Sequence, residues 1–406
     1  MTAVAERGAE PVATKSQERR AAGVACGAHA LHDGYTDLIY VMLPLWQAEF
    51  GIGYAALGLL RTCYSGAMAG LQIPSALISE RLGVPLVLAA GTALAGFGYL
   101  IAGASVGFWT LVLALLIGGV GSSVQHPLAS ALVARAFAGP RSLKALGTYN
   151  FAGDIGKMTV PAAASLLLVV MPWQPVVTLI GAAGFAVAAA VYLLTPRFAA
   201  ETAAEPPKAA DSGAMVAPAT RSRIGFPVLL AIGMVDSATR MGFLIFLPFI
   251  LIAKGATLPT VGLALTLVFA GGAVGKLVCA FIGARIGVIA TVLLTEGLTT
   301  LGILALLPLP FEAALIVLPV IGVALNGTSS VLYGSVPELV EPAKRARMFS
   351  IFYTGTIGSG AVAPALYGLV GDALSVPTAL MTVAGVCLLT LPLALVLRPA
   401  LPAVAR

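Results

Sequence analysis

Four ionisable side chains inside one apolar stretch define the chemistry open to this sequence. Residues 22–46, AGVACGAHALHDGYTDLIYVMLPLW, carry His29, His32, Asp33 and Asp37 in a run long enough to cross a bilayer, which takes about 20 residues. His29, Asp33 and Asp37 are spaced i, i+4, i+8, which stacks them along one side of a helix. A charge at mid-bilayer costs roughly 2.5–3.5 kcal/mol on insertion scales, so that side must face a protein interior or a watery cavity. A submerged carboxylate beside imidazoles is suited to holding and passing protons. Asp33 and Asp37 are therefore candidate proton carriers, with His29 and His32 beside them. The alternative is a His–Asp pair that ties helices together by charge-assisted hydrogen bonds.

Other apolar runs carry charges as well. Asp154 and Lys157 stand i, i+3, and Asp236 and Arg240 stand i, i+4, so each pair can meet on its own helix surface. Counting the intramembrane groups gives five acids (Asp33, Asp37, Asp154, Asp236, Glu296) against four bases (Arg61, Lys157, Arg240, Lys276). One reading is self-neutralising ion pairs. The other brings these groups to one water-filled space, where Lys157, Arg240 and Lys276 meet an anion. Arg61 lies near the outer end of its span and is expected to snorkel to the interface. His126, beside Gln125, precedes Pro127, whose missing N–H frees a carbonyl and kinks a helix. Tyr35, Asn150 and Asn326 complete the candidate polar contacts. Trp46, Trp109 and Trp173 fall near span ends, as an interfacial aromatic belt does.

The elements that must hold these groups are membrane helices. With 59% hydrophobic and 10% charged residues among 406 and a mean hydropathy of +0.99, the chain is far more apolar than a soluble domain, where about 25% charge is usual. Four cysteines lie in apolar runs without CxxC spacing and read as small buried hydrophobes. The pattern predicts an all-α protein of twelve spans, starting near residues 22, 54, 85, 108, 146, 174, 225, 259, 288, 312, 347 and 375. Residues 1–20 read as a cytoplasmic tail, 21–196 as a first six-helix bundle, 197–224 as a polar Ala/Pro-rich cytoplasmic linker, 225–398 as a second bundle and 399–406 as a short tail.

Lys and Arg gather in the tails, the linker and alternate loops (Arg81; Arg135, Arg141 and Lys144; Arg285; Lys344, Arg345 and Arg347), with Lys254 alone on the opposite side. Cytoplasmic loops collect such residues, so both termini are expected inside, and the net charge of +6 reflects topology rather than nucleic-acid binding. A shift of about 204 residues superposes Gly58 on Gly262, Arg81 on Arg285, Gly83 on Gly287 and Gln72 on Lys276. A shift of about 203 pairs Asp33 with Asp236 and Pro161 with Pro364. Parallel six-helix repeats are a transporter architecture with its site near the midplane between them.

Across all twelve spans the sequence resembles the major facilitator superfamily, on the strength of Glu80-Arg81-Leu82-Gly83 in the second-to-third-span loop. In the second copy, Gly283-Ala284-Arg285-Ile286-Gly287, Ala replaces the acid. A charge latch of Glu80 and Arg81 that bridges the halves in one state and releases in another is thus carried by the first half alone. A narrower resemblance is to the fosmidomycin-resistance type of drug exporter: Gly121-Ser122-Ser123-Val124-Gln125-His126-Pro127 is similar to that family's Gly-Ser-Ser-x-x-His-Pro, and His29 stands four residues before Asp33, as it does there. The resemblance implies proton-coupled export of small anionic or amphiphilic compounds.

No GxxxxGK[ST] loop, HExxH, GxSxG or metal-spaced Cys/His set occurs, which argues against ATP drive and against an enzyme. The expectation is a secondary transporter without cofactor or metal, working as a monomer in the plasma (inner) membrane. It would export a small molecule against protons by rocking its halves about a central site. Proton binding at the first-span carboxylates would favour release outside. The rival on the same fold is uptake or exchange of a small organic anion, with Arg240, Lys157 and Lys276 as a cationic clamp.

Overall fold

The structure, a computed structural model, describes residues 13–137, 140–198, 224–341 and 344–401. Most of the expected tails and linker lie outside these residues. Every regular element described is helical: α1 (Lys15–Phe50), α2 (Tyr54–Gly70), α3 (Gln72–Leu82), α4 (Val84–Gly103), α5 (Phe108–Ser122), α6 (Gln125–Ala136), α7 (Pro140–Leu167), α8 (Trp173–Leu194), α9 (Gly225–Ala253), α10 (Leu258–Ile286), α11 (Val288–Leu306), α12 (Phe311–Leu339), α13 (Arg345–Ala373), α14 (Val376–Cys387) and α15 (Thr390–Leu397), closed by a 3-10 turn at Arg398–Ala400. The first helix starts at Lys15, inside the expected tail, because Thr14 and Gln17 form a reciprocal capping box there.

Three of the junctions are proline breaks. Pro74, Pro127 and Pro392 have no N–H to give to the residue four positions earlier, and the chain interrupts its helix at Leu71, at Ser123–Val124 and at Leu388–Leu389. Among the described residues eight stretches are long and apolar enough to cross a membrane, counting α5 with α6 and α14 with α15 as continuous. The remaining expected spans, α1, α2, α7 and α13, are either broken or carry the polar and ionisable groups. They pack against other helices, α1 on α7 and α2 on α13, where a uniformly apolar surface is not required.

The repeat seen in sequence recurs in backbone geometry. Among the described residues the four with positive φ are all glycines, Gly51 (60°), Gly83 (84°), Gly255 (94°) and Gly287 (85°). They form two pairs 204 positions apart and end equivalent helices, where only glycine takes that conformation without a steric cost. Helix contacts between the sequence halves repeat as well. On α2, Gly58 lies so close to α13 that an added Cβ would sit 2.5 Å from the Ala365 backbone, while Thr62 donates to the Ala361 carbonyl at 2.6 Å. Between α10 and α7, Gly262 approaches Ser165 and Thr266 donates to the Met158 carbonyl at 3.0 Å.

The buried apolar core divides in three. The largest cluster draws on both halves, joining Leu38–Trp46 to Phe243–Leu251 with Leu57, Leu60, Leu318 and Leu380 at the end of the molecule that carries the α1–α2 turn. At the opposite end, one cluster consists of first-half residues such as Ala21, Leu88, Leu132 and Val191. A separate one consists of second-half residues such as Phe226, Val292, Leu332 and Leu397. The halves thus share a core at one end and keep separate cores at the other. Trp46 and Trp173 are buried in the shared core and meet edge to face with centroids 6.3 Å apart. Of the expected aromatic belt, only Trp109 is exposed.

Two side chains fasten helix ends at the shared-core end. Lys254 donates to the Leu307 and Leu309 carbonyls at 2.8 and 2.6 Å, which accounts for a lone lysine away from the basic loops: it caps the end of α11. Asp372, at the end of α13, accepts from the Tyr54 and Ala55 N–H groups at 2.6 and 2.9 Å and so caps α2 across the two halves. Removing such a cap costs about 0.5–2 kcal/mol. Asp372→Ala is therefore expected to lower the unfolding midpoint and Asp372→Asn, which still accepts a hydrogen bond, to lower it less; equal midpoints for all three proteins would remove the cap from this account.

Candidate transport site

The first-span groups converge as their spacing requires, but their partners come from other helices. Asp33, buried on α1, lies 3.5 Å from His29 Nε2, 3.8 Å from His32 Nε2 and 3.4 Å from Lys157 Nζ on α7. His126 on α6 completes the cluster, its Nε2 3.3 Å from His32 Nε2. The His29 ring stacks on Tyr149 at 4.0 Å, and its Nδ1 lies 2.8 Å from the Tyr149 carbonyl. A carbonyl only accepts, so Nδ1 carries hydrogen. In the neutral ring Nε2 is then a bare lone pair facing Asp33.

Small residues allow this approach. An added Cβ on Gly153 would lie 2.5 Å from Asp33 Oδ2 and 2.7 Å from His29 Cε1, and one on Gly156 would overlap the Ala30 backbone. Gly153→Ala is accordingly expected to displace the Asp33 carboxylate without changing any charge. A crosslink or label that reads the α1–α7 distance would register the shift; an unaltered distance together with unaltered stability would refute so tight a fit.

One turn further along α1, Asp37 pairs with Arg61 Nη2 at 3.9 Å. Arg61 also donates to the Tyr40 hydroxyl at 3.1 Å and to Ser65 at 2.7 Å, with its guanidinium over the Tyr40 ring. Arg61 does not snorkel, contrary to its expected role. It is 2% exposed because α2 turns this face inward, where Asp37 and Tyr40 supply its partners. The Tyr40 hydroxyl in turn contacts Met241 Sδ on α9 at 3.2 Å. Breaking a buried pair by removing one partner costs about 3–5 kcal/mol, so Arg61→Met should lower the unfolding midpoint sharply, and the added change Asp37→Asn should recover most of the loss. Additive losses in the double variant would refute the pairing.

The expected Asp154–Lys157 pair on one helix does not form. Lys157 turns to Asp33, and Asp154 bonds Lys276 of α10 at 2.6 Å, because α7 packs between α1 and α10 and each side chain meets a closer partner across a helix boundary. Asp236 and Arg240 do pair, at 3.5 Å. Among these cations Lys157 and Lys276 keep the most open side chains, 29% and 37% exposed, which leaves them accessible to a ligand.

Each half has a small hollow of about 10 Å³, the first between Leu31, His32, Tyr35, Thr92, Ser122 and Gln125, and the second between Gly233, Asp236, Arg240, Ser329, Tyr333 and Thr356. His32 and Gln125 correspond to Asp236 and Ser329 at the 204-residue offset, so the pockets occupy equivalent places. Arg240 thus lies in the second pocket, apart from the histidines. The Tyr35 hydroxyl is directed to the Ile180 carbonyl at 2.8 Å and Asn326 to the Gly322 carbonyl of its own helix at 3.2 Å, both structural bonds. Asn150 is exposed, beside Tyr149 but outside the cluster. Glu80 and Arg81 are exposed at the end of α3, and no hydrogen bond or ion pair joins them to other described residues.

His29, Asp33 and His126 offer ligand atoms within 4.8 Å of one another, a grouping with metal-like spacing. Lys157 beside Asp33 opposes a divalent ion there. Sequence reading missed the role of Arg61 and did not assign Glu296, although the excess of acids over bases pointed to it.

The family model of the Major Facilitator Superfamily matches residues 25–235 and again residues 229–406. The chain belongs to the major facilitator superfamily. As a member it is a multi-pass membrane protein with a transporter fold, not an enzyme. The fosmidomycin resistance protein of Escherichia coli (strain K12) is 28% identical over 141 residues, which span 35% of this chain and 34% of that protein. The alignment thus covers about a third of the relative's length. Among solved structures, a bacterial homolog of the human lysosomal transporter Spinster, inward-facing and occupied, superposes with a TM-score of 0.78 at 14% identity over 97% of this chain and all of the other. Its unoccupied inward-facing form gives 0.75 at 15% over 95% and 96%. The nucleoside transporter NupG gives 0.74 at 14% over 94% and 99%. These likenesses concern the major facilitator fold.

Proposed function

We propose that this chain is a secondary transporter that couples protons to the export of small anionic or amphiphilic molecules, its helices crossing the membrane twelve times as two six-helix lobes. The observation that carries the reading is the His29–Asp33 contact. With Nδ1 tied to the Tyr149 carbonyl, Nε2 is the ring atom that gains and loses a proton, and it faces Asp33 at 3.5 Å. Proton occupancy there changes how strongly α1 holds α6 and α7, which is a differential contact able to bias two conformations.

The divided core supports an inward-facing state, closed where the halves share apolar packing and open where they do not. The open end carries the basic loops, so it is assigned to the cytoplasm together with both termini, in the plasma (inner) membrane. Glu80 and Arg81 are then a latch engaged only when that end closes. The open side chains of Lys157 and Lys276 and the Arg240 pocket support an anionic cargo, and they serve equally the second reading, uptake or exchange of an organic anion by proton symport. A single copy of the chain suffices, with no cofactor, metal or nucleic acid.

The relative's name makes fosmidomycin the first probe. In liposomes of purified protein loaded with a pH-sensitive dye, adding fosmidomycin or a panel of small organic anions should move protons, and an imposed pH gradient should drive labelled compound, the direction separating export from uptake. Flux that ignores the pH gradient for every compound would overturn the reading.

A further inference from the structure

Four of the five acids inside the helical body have a base against them: Lys157 on Asp33, Arg61 on Asp37, Lys276 on Asp154 and Arg240 on Asp236. Among the described residues Glu296 on α11 has none, although only 2% of it is exposed. Asp236 and the Thr328 hydroxyl lie beside its carboxyl, which accepts from the Cys387 thiol at 3.1 Å. The other polar groups facing this pair are Arg240 on α9 and Tyr333 on α12, the latter tied to Thr356 at 3.1 Å. Asp236, Glu296 and Arg240 together sum to one uncompensated negative charge.

Two further observations bear on this pair. Thr239 and Thr299, each 1% exposed, have hydroxyls without a hydrogen-bond partner. Each stands three residues after one of the acids, on the same helix face. The repeat shows besides that the fold does not need an acid here. At the 204-residue offset Glu296 corresponds to Thr92, a neutral side chain that bonds its own helix at Leu88 with 2.8 Å.

Two ionised carboxylates cannot share a hydrogen bond; one proton between them permits it, as in paired-aspartate sites. We propose that Asp236 and Glu296 bind one proton jointly and form a second proton-binding site, in the second half of the molecule and separate from His29 and Asp33. The shared proton lowers the negative charge on Asp236, the one acid that pairs with Arg240, and so loosens the guanidinium for an anion beside it. Proton and anion therefore support one another at this site, and the coupling is reciprocal. The inference stands whether or not the first-half cluster carries protons.

Infrared spectroscopy of the purified full-length protein in liposomes at neutral pH tests it without any substrate. Wild type should show the carbonyl band of a buried protonated carboxyl that shifts in heavy water. Glu296→Gln should lose that band, because the Asp236 that remains pairs with Arg240, and Asp236→Asn should shift it, because Glu296 then holds the proton alone. Cys387→Ala, which leaves both acids in place and guards against misfolding of the others, should keep the band and shift it. Absence of the band in wild type, its persistence in Glu296→Gln, or its loss when potassium is exchanged for sodium, which would mark a sodium site, each overturns the proposal.

Discussion

Asp33→Asn is expected to reduce pH-gradient-driven flux to the level of empty vesicles and, separately, to destabilise the fold by about 3–5 kcal/mol, the cost of leaving a buried cation without its partner. The two effects have different origins. The stability loss comes from Lys157, which in the native protein lies 3.4 Å from Asp33 Oδ2. The flux loss is expected from His29, whose Nε2 no longer has a carboxylate facing it. Asp33→Asn combined with Lys157→Met should therefore bring the unfolding midpoint most of the way back while flux stays absent. The residues are in contact, so non-additivity of this size is what a double-variant cycle reads. If the double variant regains flux along with stability, Asp33 serves as scaffold and the coupling role passes elsewhere. A single variant that keeps both full flux and the wild-type midpoint would remove Asp33 from the mechanism.

What the sequence could express was whatever lies along one helix or recurs at a fixed offset. The i, i+4, i+8 spacing of His29, Asp33 and Asp37 marked one polar face on α1, and the Asp236–Arg240 pair formed on its own helix. The repeat emerged from matched glycines, an arginine, a proline and the aspartates Asp33 and Asp236, and the matched turns at Gly51 and Gly255 and at Gly83 and Gly287 carry it into backbone geometry. Partnerships between helices were not expressed. Nothing in the spacing of Asp154 and Lys157 tells that α7 is wedged between α1 and α10, which sends the lysine one way and the aspartate the other. Arg61 seemed close enough to a span end to reach water, yet whether a residue can snorkel depends on which face its helix turns to its neighbours, and α2 turns this one to Asp37 and Tyr40. Trp46 failed as a belt residue for the same reason: depth along a span says nothing about facing lipid or core. Glu296 was visible as an excess charge, but its meaning needed Asp236 and Cys387 in place around it.

Gly58→Leu is expected to open the end of the molecule at which the two halves share a core. At present α2 and α13 touch backbone to backbone: an added Cβ on Gly58 would lie 2.5 Å from the Ala365 backbone, and one on Gly368 would lie 2.6 Å from that of Ala55. Thr62 and Asp372 fasten the same seam at 2.6 Å each. No rotamer of a larger side chain fits between two backbones, so the helices must part. Forcing extra atoms into such a contact costs about 1–3 kcal/mol, and each 1.4 kcal/mol moves a two-state equilibrium tenfold, enough to make a minor open state the major one. On the proposed rocking of the lobes about a central site, parting this seam should draw the separate first-half and second-half cores at the opposite end together. Spin labels at Val106 and Ile316, both exposed on loops and helix ends of the two halves at the shared-core end, should move apart, while labels at the basic end approach. Gly58→Ala should give a smaller shift in the same direction, and Gly262→Leu, at the equivalent seam between α10 and α7, should act like Gly58→Leu. Distances that stay at their wild-type values in all three folded variants would mean that these glycines are packing details and that the lobes part along some other surface.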